Sequence, residues 1–233
     1  IDTTTLVVDS TNNRVGIGTS SPASLMHLES DTPVITLRDT SAYSAGTGPY
    51  IQFQGLDSGS TTRVFGQIYG LSNGSNSGEL AFHTRNSGNT AERMRIDSSG
   101  NLLVGTTSTT GFQTSSSATG TIAYTGGTIA TNVSGDGALY LNRLTSDGNI
   151  ALFRKDGTTV GSIGVASTDH FYFAAADGAG LKVDSDQSSG VTPCNASGAD
   201  LDNSINIGHA SARWNNLYLS GGVYLGGTGS ANL

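Results

Sequence analysis

The sequence is poor in several residue types on which common folds depend. Of its 233 residues only 12% are charged and 35% are apolar, against usual shares of about 25% and about 45–50% in soluble domains. Cysteine occurs once, at Cys194, so no disulfide can form within one chain. A disulfide-stabilised fold is therefore excluded, and we expect Cys194 to be a small side chain in a loop.

Basic residues and long apolar runs are also scarce. Lys and Arg total 11 against 18 Asp and Glu, and no basic stripe is present that could neutralise phosphates, so nucleic-acid binding is not expected. The longest apolar run is about six residues, at 171–176, whereas a transmembrane helix needs about 20, so membrane insertion is not expected. The first residue is Ile rather than Met, which indicates a piece of a longer gene product.

Strong helix formers are few, since Glu occurs only three times and Lys twice. Only Ala91–Ile96 and Ala210–Leu217 could hold a turn or two of helix. Most apolar residues instead recur with a period of two between clusters of Gly, Asn, Asp and Ser, which is typical of short β-strands, and we predict an all-β fold. The predicted strands are Leu6–Val8, Val15–Ile17, Val34–Leu37, Tyr50–Phe53, Val64–Ile68, Glu79–His83, Met94–Ile96, Leu102–Val104, Gly120–Tyr124, Ala138–Leu141, Ile150–Phe153, Val160–Val165, His170–Phe173, Leu181–Val183, Ser204–Ile207, Asn216–Leu219 and Gly222–Leu225.

The strand pattern occurs twice along the chain, in an order that repeats with a drifting offset. The matching segments are VITLRD (34–39) with ALYLNR (138–143), YIQFQG (50–55) with NIALFR (149–154), VFGQIYG (64–70) with TVGSIGV (159–165), ELAFHT (79–84) with HFYFAA (170–175), MRID (94–97) with LKVD (181–184), and, more distantly, LLVGTT (102–107) with INIGHA (205–210). In addition, RIDSSGNLLVGTT (95–107) repeats the strand–turn–strand form of VVDSTNNRVGIGT (7–19). A motif that occurs more than once in a chain indicates a structural connection between modules rather than an active site.

This repetition predicts a modular organisation. A Ser/Thr/Gly-rich stretch separates the two copies; we interpret it as a connector with a strand of its own, and a disordered linker is the alternative. The predicted parts are an amino-terminal hairpin (1–33), a first β module (34–106), the connector (107–137), a second β module (138–209) and a carboxy-terminal segment leading to a missing tip domain (210–233).

Modules this small and this poor in apolar residues cannot readily offset the conformational entropy of folding. Without disulfides, association with copies of the same chain is the remaining means of stabilisation. A coiled coil and a collagen helix are excluded because neither heptads nor a three-residue glycine period occurs. We therefore predict a symmetric homo-oligomer of β modules, intertwined or side by side, whose aromatic side chains fill the core between chains. The predicted core residues, which the resemblance given below assigns to a trimer, are Phe82, Phe153, Phe171, Phe173, Trp214, Tyr218 and Tyr224.

Candidate chemistry is weak in comparison. Asp97 and Asp184 occupy equivalent points of the two copies and could form a carboxylate pair, but Asp also begins turns, which is the simpler interpretation. Acidic residues at 184–186 and 200–202 leave an irregular structural Ca²⁺ site open, although the spacing does not fit an EF-hand. The four histidines, at positions 27, 83, 170 and 209, lack zinc spacing. No catalytic residue, cofactor or nucleotide-binding motif is expected, because GIGTSS (16–21) and GGTG (226–229) lack the glycines or lysine that such motifs need.

Several phrases resemble bacteriophage tail-fibre proteins, particularly those of marine and cyanobacterial phages. They are NNRVGIGTSSP (12–22), LMHLES (25–30), ERMRIDSSGNLLVGTTS (92–108) and INIGHASARWNNLYLSGGVYLGGTG (205–229). The resemblance implies an elongated, extracellular homotrimer in the virion, whose partners are other tail or virion proteins and a host-surface glycan or protein. It also implies that a tip or chaperone domain follows residue 233.

The expected function is therefore structural reach and adhesion to the host, without enzymatic activity. Two alternatives stay open. One is a polysaccharide depolymerase of the tailspike type, which needs a cleft with two close carboxylates and aromatic walls. The other is a bacterial surface adhesin or filament protein, which anchoring or secretion signals elsewhere in the gene would identify.

Overall fold

The structure, a computed structural model, describes residues 5–74, 76–167, 169–184 and 190–221. It is all-β, as predicted, and its described strands form three separate sheets. Backbone contacts divide the chain into two units, Ile1–Ala138 and Leu139–Leu233. The strands are β1 (Leu6–Asp9), β2 (Arg14–Ile17), β3 (Met26–Leu28), β4 (Tyr50–Leu56), β5 (Thr62–Ser72), β6 (Gly78–Asn86), β7 (Asn89–Ile96), β8 (Leu102–Val104), β9 (Gly120–Ala123), β10 (Ile129–Asn132), β11 (Gly148–Lys155), β12 (Thr158–Ala166), β13 (His170–Ala175), β14 (Gly180–Asp184) and β15 (Gly190–Cys194).

The first unit begins with a small sheet of three strands. β1 and β2 form an antiparallel hairpin, and β3 pairs with β2 in parallel. The hairpin turn begins at Asp9, whose carboxylate accepts hydrogen bonds from the backbone amides of Thr11 and Asn12. The predicted amino-terminal hairpin is present, and β3 is an addition to it.

A seven-stranded antiparallel meander follows, in the order β10-β9-β8-β7-β6-β5-β4. Its strands β9 and β10 come from residues 107–137, so the predicted connector contributes two strands to this sheet. A single 3-10 turn at Phe112–Thr114 places the Phe112 ring against Leu103 and Ile122. These three buried side chains anchor the Ser/Thr-rich stretch to the end of the sheet.

The second unit holds a five-stranded antiparallel sheet in the order β11-β12-β13-β14-β15. Its fifth strand is Gly190–Cys194. In the internal repeat, the counterpart of LLVGTT was predicted at 205–210. This prediction is wrong, because residues 205–210 form no strand. The structural counterpart of β8 is β15, since β15 follows LKVD as β8 follows MRID. The segment VTPC was missed because its Pro and Thr do not give an apolar period of two.

The two larger sheets share a register that follows the sequence repeat. In the first, Phe53 of β4 lies opposite Gly66 of β5, and a β-bulge follows directly after Phe53. In the second, Phe153 of β11 lies opposite Gly161 of β12, again with a bulge directly after the phenylalanine. The two sheets therefore begin with the same paired strands, down to the bulge, whose extra residue lies on the second strand of each pair, at Phe65 of β5 and at Val160 of β12.

Some predicted elements are wrong. Residues 34–37, 138–141, 204–207 and 216–219 are not strands. Of the two stretches that could hold a turn of helix, residues 91–96 lie within β7, which contains the predicted strand Met94–Ile96, and residues 210–217 form no helix. The predicted strand at 222–225 lies outside the described residues. A period-two pattern reports only local preference, whereas a strand also needs a hydrogen-bonded neighbour. Among the described residues, these four segments find no such neighbour.

The only helical element in the described part of the chain is the 3-10 turn at Phe112–Thr114. No described helix is long and apolar enough to cross a membrane.

Candidate assembly surfaces

One face of the seven-stranded sheet is apolar and faces outward. Because directly opposed residues of neighbouring strands point to the same side of a sheet, the register aligns these side chains in rows across it. We call this set the first apolar face: Ile51, Phe53, Ile68, Leu80, Phe82, Met94, Ile96, Leu102 and Val104. Ile68, Phe82 and Met94 are half-buried by their neighbours, and the other six are exposed.

The opposite face of the same sheet carries charges that are paired within the chain. Arg95 contacts the Glu92 carboxylate through two bonds of 2.6 Å and also forms an ion pair with Glu79. All three side chains are largely shielded from solvent. Hydrogen bonding to Glu92, with smaller contributions from the nearby carboxylates, raises the pKa of Arg95 above its ordinary value, against the opposing effect of burial. This guanidinium therefore compensates two carboxylates on the inward side of the sheet.

The five-stranded sheet has the same division. Rows of directly opposed apolar residues cross β11 to β15 on one side of the sheet. We call this set the second apolar face: Ala151, Phe153, Ile163, Val165, Phe171, Phe173, Leu181, Val183 and Val191. Phe153, Phe171, Phe173, Leu181, Val183 and Val191 are all exposed, although such side chains are ordinarily found inside.

The other side of that sheet is buried and partly polar. Tyr172 is fully buried and packs with Ala166, Ala174 and Cys194. Lys182, also buried, lies 2.5 Å from Oδ1 of Asp200, which comes from the loop after β15. This face therefore contains the small core of the second unit.

Burial affects the two titratable groups of that core. It raises the pKa of the Cys194 thiol, which the nearby Lys182 partly offsets, and it raises the pKa of Tyr172. Cys194 thus lies at the end of β15 in the core, and its predicted position in a loop is wrong. Its thiol is shielded and largely protonated at neutral pH, so it is not set up as a nucleophile.

Both sheets therefore carry buried ion pairs on one side, Arg95 with Glu79 and Glu92 in the first sheet and Lys182 with Asp200 in the second, while most of their larger apolar side chains lie on the other, exposed side. Monomeric proteins rarely expose contiguous apolar patches of more than a few hundred Å². Apolar burial contributes roughly 25 cal/mol per Å², so covering such faces would stabilise the chain substantially. The two apolar faces are the candidate functional surfaces of this protein.

The predicted trimer-core residues fall largely on these surfaces. Phe82 belongs to the first apolar face, and Phe153, Phe171 and Phe173 belong to the second. Trp214 is exposed and lines a groove together with Phe173 and Leu181, so the structure brings one predicted core residue of the carboxy-terminal segment to the second apolar face. These positions describe where the residues lie within one chain; their place in a trimer stays a prediction.

Two predicted core residues stand apart from the apolar faces. Tyr218 is exposed in a stretch that forms no strand, and Tyr224 lies outside the described residues. The sequence analysis missed the aliphatic members of the faces, such as Ile51, Leu181 and Val183. Their period of two in the sequence shows which residues share one side of a strand. Which side of the sheet is exposed depends on the loops that cover the other side, and the period does not indicate this.

Asp97 begins a turn, as its simpler interpretation held. Its Oδ1 accepts hydrogen bonds from the amides of Ser99 and Asn101, and its Oδ2 accepts one from the Asn101 side chain. Burial alone would raise the pKa of Asp97, but the hydrogen bonds from Asn101, Ser99 and Gly100 together hold it below the ordinary value. This carboxylate is used to fix the backbone between β7 and β8.

Two other Asp residues of the first unit also begin turns and accept hydrogen bonds. At the turn between β4 and β5, the hydrogen bond from the Arg63 side chain lowers the pKa of Asp57 most, and the hydrogen bond from the Thr61 amide lowers it further. At Asp9 the Asn12 side chain and amide lower the pKa of the carboxyl. Three Asp residues of the first unit thus act as turn-forming anions.

The remaining candidates do not converge on a site. Within the described residues no group of three His, Cys, Asp or Glu side chains could hold a metal ion. Asp200 contacts Lys182, and residues 185–186, part of the other possible Ca²⁺ segment, lie outside the described residues. The ring of His27, on β3, accepts a hydrogen bond from the amide of Ala23, and the ring of His209 contacts the Ser211 hydroxyl.

Comparisons with known proteins give no relatives: no family model, no curated protein and no solved structure matches this chain.

Proposed function

We propose that this chain is a structural and host-adhesion segment of a bacteriophage tail fibre, which assembles as a homotrimer outside the cell. The observation that carries the proposal is the outward position of both apolar faces. The ion pairs of Arg95 and Lys182 lie on the opposite side of each sheet, within the chain. A large exposed apolar surface of this kind marks an interaction site. Copies of the same chain are the partner that the internal repeat and the resemblance to tail-fibre proteins favour.

A trimer is favoured over other assemblies by two considerations. The resemblance to tail fibres implies three chains, and a cyclic arrangement lets identical faces meet around one axis with closed contacts. Each chain would then contribute its two apolar faces to an interior that it cannot build alone. The polar loops would remain outside, where other tail or virion proteins and a host-surface glycan or protein would bind.

The first test is the mass of the assembled particle. Size-exclusion chromatography with light scattering should give three chains per particle, and a well-folded monomer at all concentrations would overturn the proposal. Trp214→Ala should lower the thermal stability of the trimer because the indole lies beside the second apolar face. An unchanged melting temperature would show that Trp214 takes no part in assembly.

The second test concerns adhesion. Labelled trimer should bind intact cells of a susceptible marine or cyanobacterial host and should slow adsorption of the parent phage. A depolymerase would instead release oligosaccharides from isolated host polysaccharide, and a bacterial adhesin would come from a gene with anchoring or secretion signals. Either result would replace the proposed function with one of those alternatives.

A further inference from the structure

The connection between β3 and β4 forms a pocket with the seven-stranded sheet. Residues 39–49 supply one wall, and the end of β5 and the start of β6 supply the other, with a volume of about 400 Å³ between them. Small-molecule sites in proteins ordinarily measure about 300–1,000 Å³. The pocket is therefore large enough to hold a small ligand.

Backbone contacts hold the loop wall of this pocket against β5. Ser72 donates a hydrogen bond to the Thr47 carbonyl, and Gly70 donates one to the Pro49 carbonyl. Gly48 lies so close to Gly70 that a Cβ at position 48 would be 1.9 Å from the Gly70 carbonyl oxygen. Because the wall is fixed in advance, binding of a ligand costs little ordering of this loop.

Polar side chains in the pocket have hydrogen-bonding capacity left for a ligand. Oδ1 of Asp39 accepts hydrogen bonds of 2.8 Å and 2.6 Å from the amide and the hydroxyl of Ser41, whereas Oδ2 accepts none within the described part of the chain. The bonds from Ser41 lower the pKa of Asp39, so its carboxylate is ionised at neutral pH. The Ser44 and Ser77 hydroxyls, which also line the pocket, donate to no described residue.

The pocket also contains one exposed aromatic ring. Tyr43 is among its lining residues and is 64% exposed. The face of an aromatic ring carries partial negative charge, which attracts the weakly positive C–H groups on one side of a sugar ring. The hydroxyl groups of the same sugar can donate to the Asp39 carboxylate. An aromatic ring and an ionised carboxylate in one pocket thus match both parts of a saccharide.

The charge of the pocket narrows the class of ligand. Among the described lining residues only Asp39 is charged, so an anionic ligand would be repelled. One carboxylate is a poor site for a divalent cation, which takes several oxygen ligands. Hydrolysis of a glycosidic bond ordinarily uses two carboxylates. The described groups therefore favour binding of a neutral sugar over its cleavage.

The pocket includes the side of the sheet that the first apolar face leaves free. Leu71 lines the pocket and lies directly opposite Glu79. Opposed residues point to the same side of a sheet, and Glu79 pairs with Arg95 on the side away from the first apolar face. Contacts between copies through that face would therefore leave this part of the pocket accessible.

Resting on the proposed adhesion function, we propose that this pocket binds one sugar unit of a neutral host-surface saccharide. The Tyr43 ring stacks on the sugar, the Asp39 carboxylate accepts hydrogen bonds from its hydroxyls, and Ser44 and Ser77 complete the polar contacts. A single site of this size binds weakly. Three copies in one trimer would raise the overall affinity for a surface that carries many such sugars.

Saturation-transfer NMR on the full chain tests the proposal, with methyl glycosides of glucose, galactose, mannose and N-acetylglucosamine as neutral probes. At least one should bind, and Tyr43→Ala and Asp39→Asn should each weaken its binding at least about tenfold. Two controls should change it less than about twofold. Tyr43→Phe keeps the ring, and Asp9→Asn removes a turn carboxylate outside the pocket whose pKa is also lowered.

Methyl glucuronide and cadaverine complete the probe set as an anionic sugar and an organic cation. Stronger binding of either one in the pocket, binding of no neutral glycoside, or equal binding by Tyr43→Ala and the unsubstituted protein would overturn the saccharide site. Cell binding separates this result from the proposed function. A protein that adheres to host cells but binds no neutral glycoside overturns the site alone, whereas one that binds a glycoside in the pocket but no host cell overturns adhesion alone.

Discussion

The Tyr172 hydroxyl donates a hydrogen bond of 2.8 Å to Oδ1 of Asn149. These residues lie on β13 and β11, and the strand between them carries Gly164 in the same row. A Cβ at position 164 would lie 2.5 Å from the Tyr172 hydroxyl oxygen. The glycine therefore gives the phenol room to cross β12 and bind the edge strand, which joins three strands through one side chain.

Gly164→Ala should destabilise the second unit by about 1–3 kcal/mol, because the added methyl group overpacks the buried face. Tyr172→Phe, which loses only the hydrogen bond, should cost about 1 kcal/mol. Gly190→Ala is the control: its added Cβ meets no atom within 4 Å and its φ is not positive, so its effect should stay within about 0.5 kcal/mol. Urea unfolding at one fixed protein concentration measures all three. A stability of Gly164→Ala equal to that of the control would contradict this account of the crossing.

Phe173→Asp should dissociate the assembly, because it places a charge in the middle of the second apolar face. Leu152→Asp is a matched control on the same sheet: the two side chains are 49% and 48% exposed, and Leu152 lies opposite Ser162, on the other side of the sheet. Light scattering should show a shift of the dissociation concentration by at least about a hundredfold for Phe173→Asp, equivalent to roughly 3 kcal/mol. Equal effects of the two substitutions would show that the second apolar face is not the contact surface.

Arg95→Met should destabilise the first unit by about 3 kcal/mol, because it leaves Glu79 and Glu92 without their shared cation in a largely shielded position. Arg95→Lys should recover only part of this loss, since an ammonium group cannot make both bonds to Glu92 in the plane of one carboxylate. Thermal unfolding followed by circular dichroism gives the comparison. If Arg95→Met melts with the unsubstituted protein, the inward ion pairs do not contribute to stability.

Asp97→Asn should lower stability at neutral pH, with an effect that disappears in acid. The pKa of Asp97 is lower in the folded chain than its ordinary value, so its stabilising effect is complete above the unfolded pKa of about 4. It is lost as the pH falls through the lower, folded value. The difference in melting temperature between the two proteins should be constant from about pH 8 to pH 5 and should narrow below about pH 4. A difference that grows on acidification would assign the stabilisation to the protonated form.

Local sequence predicted the class and much of the strand content, because an apolar period of two between turn residues needs only neighbouring positions. Pairing partners could not be predicted in the same way. The contact of Arg95 with Glu79 joins β7 to β6 through their register, and nothing within either strand sequence indicates it. The mistaken strand at Val34–Leu37 shows the converse: its residues favour a strand locally, but they pair with none of the described strands.

The candidate surfaces could be predicted in part for a related reason. Phe171 and Phe173 share one side of their strand by alternation, while Tyr172 between them points to the other. The sequence identified the aromatic cluster but not which side faces inward. That choice depends on the loop after β15, where the backbone of Gly198 lies so close to the Tyr172 ring that a Cβ at this position would be 2.5 Å from it. The sequence of β13 alone does not indicate this contact.

The outward position of the hydrocarbon side chains has a thermal consequence. Contacts between apolar surfaces weaken on cooling, whereas the turn carboxylates and the Arg95 ion pairs within each chain do not depend on that effect. The contacts between copies would then be the most cold-sensitive interactions of the assembly. On ice, the assembly would dissociate into single chains that keep their strands and turns.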